Sequence, residues 1–420
     1  MKLLLKKFQY NESDVKFSDS PSVDAFGRLR VSQVSTRIDL KQLHDNLPLF
    51  IDQVNEDIGN SYVNRAKTVS HVHSRELART RMTCGTVGQY CIAQTKQRLN
   101  YQTGKSQEIF QTTTNFHPQK GYIKRYGYFT SNYVAPFDVF DGLFLESTED
   151  AVFACIYRLG KVIERTNVSS KSYNTKTIDT STVIDWKNAE ISNLDFEWLG
   201  VGRVRWLLVI NGAKIPFHYS NHSNISDSVY MSTPNQPLRW ELRCVSTPDE
   251  VGIFDYICGT VGSEGSINEV GKTLSIHDAG VPLAITNTTL IGVLGIRLQQ
   301  DKADALIEIL SNSLIDTSNA VSMWQYILNP TVAGAPVWTN YANSAVQQCI
   351  AIDTTLLITG GTVLGTGHMI GKAVSANAKS NSIKLGVSIN GTQDEIWLAF
   401  KKVGSGNVSL LRAIDFREQI

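Results

Sequence analysis

The sequence predicts an all-β protein made of two β-sandwich, jelly-roll-like domains preceded by an extended N-terminal arm. Three observations carry that expectation. Short runs in which apolar and polar side chains alternate recur along most of the chain, separated by Gly, Asn, Pro and Ser. Only 19% of residues are charged, while Thr, Ser, Asn and Val are plentiful, a composition that suits pleated sheets better than helical bundles. Asn211-Gly212 stands between two alternating runs, and that dipeptide is what a two-residue type I′ hairpin turn demands, because both central residues take positive φ.

A chain of 420 residues can bury more than one core. The expected divisions are an arm over residues 1–30, a large sandwich over 31–283 and a second sandwich over 284–420. The boundary is placed where Gly280, Pro282 and small polar residues cluster between Ala279 and Asn287. From Met1 to Ser22 the chain is polar and irregular. The following VDAFGRLRVS gives a turn and a short strand with Leu29 and Val31 on one face and Arg28 and Arg30 on the other. Phe26, Arg28 and Arg30 are therefore candidate subunit-interface residues, Phe26 as an apolar anchor and the arginines as partners for acidic groups on a neighbour. Leu40 to Ile58 has room for a short helix, which Pro48 interrupts.

Strands are expected at Tyr62 to His73, Gly88 to Arg98, Gln107 to Phe116, Lys120 to Phe129, Leu143 to Glu146 and Ala151 to Arg158, with a long polar loop over Val162 to Asp185. Around Asn211-Gly212 the two-residue turn pairs Ile210 with Ala213, Leu208 with Ile215, Trp206 with Phe217 and Val204 with Tyr219, all on one face. Arg203, Arg205, Lys214 and His218 fall on the other, mixed with Leu207, Val209 and Pro216. Strands continue at Ile253 to Ser263, Gly271 to Ile276, Thr289 to Leu298, Ala305 to Ile315 after a turn at Asp301 to Asp304, Val321 to Leu328, Gln347 to Ile358, Gly361 to Ala373 and Ile383 to Ile389. At the second Asn-Gly pair, Asn390-Gly391, a loop from Asn390 to Glu395 gives the better register, pairing Ile389 with Ile396, Val387 with Leu398 and Leu385 with Phe400.

Forty Lys and Arg against 39 Asp and Glu leave no basic excess for gripping nucleic acid through its phosphates. The six cysteines show no repeated spacing and no C-x-x-C pair, so buried free thiols are expected rather than a disulfide framework or zinc site. Lys6 and Lys7 break the leucine run at the N-terminus, which therefore lacks a signal-peptide core. No stretch is long enough to cross a membrane, and a cytoplasmic site of synthesis is expected.

Catalytic signals are weak. His71 and His73 share a strand face but no third ligand is fixed nearby. His218 lies in the hairpin and His222 in the turn-rich SNHSN segment. Gly365, Gly367 and Gly371 lack the Lys-Ser/Thr ending of a phosphate loop. Asp249-Glu250, or Glu146 with Glu149, would have to place their carboxyls about 5 to 10 Å apart to serve as a glycosidase pair, which sequence does not fix. No G-x-S-x-G elbow is present. Trp198, Trp206, Trp240, Trp324 and Trp397 alternate within strands and read as core. No catalytic residue, metal or cofactor is expected.

Several segments taken together do carry a resemblance: VDAFGRLRVS, DNLPLFID, LNYQTGKSQEIF, DFEWLGVGRVRW, NHSN with VYMSTPNQPLRWEL, and IGVLGIRLQ leading to WQYILNPT. In that order, between about Val23 and Pro330, the chain resembles a family of tailed-bacteriophage virion structural proteins. The resemblance implies a non-enzymatic tail, neck, baseplate or capsid-surface component, assembled in the bacterial host cytoplasm and present in the virion in many copies. Its partners would be other virion structural proteins and further copies of itself, with a trimer as the expected homo-oligomer, and neither nucleic acid nor membrane. The alternative is a receptor- or glycan-binding fibre module touching a host-surface receptor.

Overall fold

The computed structural model describes residues 47–53, 63–69, 71–169, 172–173, 182–263, 271–286, 288–318, 320–370, 374–377 and 384–419. The arm, with Phe26, Arg28 and Arg30, lies outside the described residues. Apart from one three-residue 3-10 turn, the named elements are strands, and every pairing among them is antiparallel.

The first sandwich faces two sheets against each other. One runs Ala213–Ser220, Val204–Ile210, Glu190–Phe196, Gln107–Thr114, Gly252–Ser263, Arg79–Cys84, His71–Ser74, with Leu47–Gln53 also paired to Gly252–Ser263. The other runs Lys161–Asn167, Val152–Arg158, Val139–Ser147, Tyr122–Ser131, Leu238–Cys244, Tyr90–Thr95, Val63–Lys67. Trp206, Trp240, Tyr126, Tyr128, Phe196 and Phe254 fill the space between them. Trp240 of one sheet stacks on Tyr256 of the other at 5.0 Å between ring centroids. Large rings suit this position because each removes much apolar surface from water and fixes the spacing of the layers.

The second sandwich pairs Lys272–His277, Val408–Gln419, Leu306–Asp316 and Val374–Asn377 in one sheet, with Leu283–Ile285 also on Val408–Gln419. Its other sheet runs Thr331–Ala333, Leu357–Thr359, Ile291–Leu298, Glu395–Lys402, Val321–Leu328, Thr362–Ile370. Trp397, Phe400, Ile296 and Phe416 lie in its core. The last strand shows the cleanest period of two in the chain, Val408, Leu410, Arg412, Ile414, Phe416 and Glu418 being buried and the residues between them half-buried.

Five expectations need correction. Asn211 and Gly212 do take positive φ, and Ile210 pairs with Ala213 and Leu208 with Ile215, but a bulge at Phe217 then shifts the register. Trp206 pairs with His218 and Val204 with Ser220, so Phe217 stays in the core while Tyr219 turns outward. Pro216, which has no N–H to give the ladder, sits beside the slip. In place of the helix within Leu40 to Ile58 there is a strand at Leu47–Gln53, with Pro48 at its irregularity. The polar stretch after Val162 is not all loop, because Lys161–Asn167 pairs with Val152–Arg158 as an edge strand. At Asn390-Gly391 the expected Asn390-to-Glu395 loop gives way to a shorter one: Val387 bridges Gln393 and Ser388 N donates to Thr392 O at 2.8 Å, while Glu395–Lys402 takes its partners from Ile291–Leu298 and Val321–Leu328. Finally, the chain passes to the second sandwich between Ser263 and Lys272, ahead of the expected 283/284, since Lys272–His277 already pairs with Val408–Gln419. The Gly280 cluster is a turn inside the second sandwich, Val281 N donating to Asp278 O at 3.1 Å.

The sandwiches are joined by side chains as well as by the chain. Ile389, at the tip of the tight loop, is buried with Ile92 and Phe137 of the first sandwich. Val387 N donates to Lys96 O at 3.0 Å, and Lys96 pairs with Asp394 at 3.5 Å. At the far edge, Thr362–Ile370 pairs among the described residues only with Val321–Leu328 and contains neither a charged residue nor proline. Two edge strands of the first sandwich, one from each sheet, by contrast carry Lys161, Glu164 and Arg165, and Lys214 and Pro216.

Candidate functional site

A cavity of about 430 Å³ opens where the two sandwiches meet. Tyr122–Ser131 and the residues after it bring Asn132 and Tyr133; Val139–Ser147 brings Phe140 and Asp141; the turn Gln300–Lys302 and the residues after it bring Asp301 and Asp304 from the second sandwich. Arg98, Thr130, Ser131, Ser232, Thr233 and Gln300 add to the polar lining. Tyr133 packs against the second core, and Phe140 is partly exposed at the wall.

The two inner charged groups are already committed. Asp141 accepts from Ser232 N at 3.1 Å, Gln236 Nε2 at 3.3 Å, Leu159 N at 3.3 Å and the Ser232 hydroxyl. Burial pushes its carboxyl above the usual carboxylate range, and the Ser232 hydrogen bonds partly offset that. Arg98 donates to Asn235 O at 3.0 Å and Gln236 Oε1 at 3.3 Å. Both groups thus fix the loop that runs Ser232–Gln236 into strand Leu238–Cys244. Asp301, at 73% exposure, faces solvent.

The same loop is where separate sequence motifs interlock. In LNYQTGK, Leu99 N donates to Gln236 O at 3.2 Å, Tyr101 N donates to Asn235 Oδ1 at 3.0 Å, and Leu99 O accepts from Tyr128 OH at 2.9 Å. In DFEWLG, Trp198 N donates to Tyr101 OH at 2.9 Å. His222 of NHSN stacks on Tyr230 of VYMSTPN at 4.3 Å between ring centroids, and its Nδ1 lies 3.0 Å from Gly202 O.

Strand Leu238–Cys244 then carries a buried ionic lattice on the outer face of its sheet. Glu241 accepts from Arg125 at 2.5 Å, Arg239 at 2.9 Å and Arg243 at 3.1 Å, and Arg125 also holds Glu146 at 2.6 Å. Phe137 O caps Arg239 and Arg243 at 3.3 and 2.5 Å. Burial would raise the Glu241 carboxyl, but the Arg243, Arg239 and Arg125 guanidiniums outweigh it and hold it well below the usual carboxylate range. A carboxyl held ionised in this way has no proton to give, as a glycosidase acid must.

The other sequence candidates do not converge. Glu149 accepts from Gly121 N at 3.3 Å, Glu250 from Gln119 at 3.1 Å, and Asp249 pairs with Lys120 at 2.9 Å on the surface. His71 and His73 do share one short strand; His73 Nδ1 lies 3.5 Å from Thr80 Oγ1. His218 Nε2 lies 2.8 Å from Glu164. Among the described residues, no three His, Cys, Asp or Glu side chains come together as a metal-ligand set. Sequence reasoning missed the cavity residues Arg98, Tyr133, Asp141 and Asp304, which come from segments far apart in the chain.

No family model and no curated protein matches the chain. Among solved structures it is similar to the carbohydrate recognition domain of Emp46p, at 12% identity and a TM-score of 0.34 over 53% of this chain and 97% of that one. It is also similar to a Bacillus licheniformis β-glucanase, at 10% identity and a TM-score of 0.33 over 51% and 96%. A legume lectin-like domain from Entamoeba histolytica matches at 6% identity and a TM-score of 0.30 over 49% and 91%. At such values the similarity says nothing of ligand or activity.

Proposed function

We propose that the chain is a non-catalytic structural component of a tailed-phage virion, acting through protein–protein assembly interfaces as a homo-oligomer. One observation supports this above the rest: the segments that carry the resemblance, LNYQTGK, DFEWLG and STPNQPLRWEL, are hydrogen-bonded to one another. They lock one end of the first sandwich and its buried ionic lattice, leaving Glu241 and Asp141 fully hydrogen-bonded. Residues placed this way serve a rigid tile that must hold its shape under contact with neighbours. The test is immunogold labelling of purified tailed particles with antibody raised against the purified chain. Labelling at a fixed position on every particle is the expected result; unlabelled particles, with the protein left soluble in the lysate, would overturn the proposal.

A second reading, a glycan-binding module on the particle surface, is favoured by the cavity alone, where Tyr133 and Phe140 stand near Asn132, Thr233 and Asp304. Apolar ring faces beside a few fixed polar groups suit a sugar. A glycan array of bacterial surface saccharides with the full chain and with Tyr133→Ala decides it. Binding lost in the variant supports this reading, and no binding by the parent chain removes it.

A further inference from the structure

We propose that Cys84 and Cys91 are an oxidative modification site, at which a peroxide joins them in a disulfide that ties the two sheets of the first sandwich together. Cys84 ends strand Arg79–Cys84 in one sheet, Cys91 lies in Tyr90–Thr95 of the other, and Gly85–Gln89 arches between them. Both side chains point into the core, at 1% and 0% exposure.

Each sulfur reaches toward the strand that carries, or pairs with, the other cysteine. Cys91 Sγ lies 3.8 Å from Thr83 O, the carbonyl just before Cys84. Cys84 Sγ lies 3.8 Å from Leu242 O, and Leu242 is the residue paired with Cys91 across the neighbouring strands. Cys84 and Cys91 are close enough to shift each other's ionisation, and His71, whose buried ring nitrogens have no hydrogen-bond partner, acts on Cys91 as well. The neighbouring Cys84 thiol and, against the effect of burial, His71 hold the Cys91 thiol below its ordinary range, which suits it to attack first. None of the six cysteines is joined in a disulfide in this structure. Residues Gly85 to Gly88, which join the two cysteines, are exposed, so the buried pair lies directly beneath a surface segment.

The chemistry closes with hydrogen peroxide as the oxidant. The Cys91 thiolate attacks one peroxide oxygen, the O–O bond breaks, and hydroxide leaves with a proton as water, giving a Cys91 sulfenic acid. The Cys84 sulfur then attacks the Cys91 sulfur. The S–O bond breaks, and the departing hydroxide takes the Cys84 proton as a second water. Two thiols are oxidised by two electrons and one peroxide is reduced. The site stands apart from the virion reading and does not depend on it.

Both cysteines fall in one tryptic peptide, Met82 to Lys96, because Arg81 and Lys96 are the flanking cleavage points. The native, reduced full chain is treated with hydrogen peroxide, then denatured, alkylated and mapped by mass spectrometry. The expected peptide carries no alkyl group and is lighter than the reduced one by two hydrogens, and the oxidised protein has a higher unfolding midpoint. Cys84→Ser should stop at a sulfenic acid on Cys91 that dimedone captures. Cys244→Ser, which removes a third buried thiol near Cys84, should leave the loop intact. A Met82 to Lys96 peptide that stays doubly alkylated after oxidation, or a link from Cys84 to Cys244, would overturn the proposal. The parent chain's peptide map decides this even where a variant fails to fold.

Discussion

Lys124 is the plainest case of a residue whose placement sets a solution property. Its side chain is buried at one end of the first core, where Nζ donates to Asn115 O at 2.6 Å and to His117 O at 3.3 Å. Burial pushes the amine down to about 7 from an ordinary 10.5, with Glu250 and Asp255 acting the other way. Between those two values the unfolded chain holds a proton that the folded chain has released, so stability rises with pH across that window and the benefit is lost as pH falls toward 7. Chemical denaturation from pH 7 to 10 should show a rise of up to about 1 kcal/mol per pH unit, which Lys124→Met flattens. Glu241 makes the complementary case. Glu241→Gln leaves Arg125, Arg239 and Arg243 without their shared counter-charge, and urea unfolding should show a loss of about 3 to 5 kcal/mol.

At the scale of the element, the sheet that carries this lattice is shaped by two glycines. Gly127 pairs with Phe144 and Gly142 with Phe129, so each ring lies across from an absent side chain, and the two rings meet at 4.7 Å between centroids. Both glycines take positive φ, at 159° and 127°, and a Cβ on either would collide with the neighbouring strand's backbone. Gly142→Ala should therefore cost more than about 2 kcal/mol by denaturant titration, against a few tenths for an exposed glycine in a turn. Elements of this kind were only partly legible in the sequence. Alternation located most strands, and Asn211-Gly212 fixed its turn, because both signals are local. The slip at Phe217 was not legible, since Pro216 announces a weakened ladder but not the side on which the extra residue falls. Val408–Gln419 is hard to read as a strand although its alternation is strong, because Arg412 and Glu418 on its inward face disguise it. The tight loop at Asn390 could not be read at all, because what selects it is Ile389 reaching a pocket in the other sandwich. The cavity was invisible for the same reason, its lining coming from separate segments of both sandwiches.

For the whole molecule, the contacts of Ile389, Val387, Lys96 and Asp394 make the two sandwiches one mechanical body. Scanning calorimetry of the parent chain should show a single transition. Ile389→Asp buries an unpaired carboxylate against Ile92 and Phe137 and should split that transition into two, while near-ultraviolet circular dichroism shows each core still packed. A parent chain that already melts in two steps would count against the coupling. Shape at this scale also bears on stickiness. Among the described residues, the strand Thr362–Ile370 ends its sheet, and it has no lysine, glutamate or proline to deter a visitor, with Val363 and Ile370 at 51% and 79% exposure. Concentrated solutions of the isolated protein should grow heavier by light scattering, and Thr366→Lys should suppress that growth. A rim left so hospitable would make concentration itself the trigger for association, dilute molecules staying apart and crowded ones lining up side by side.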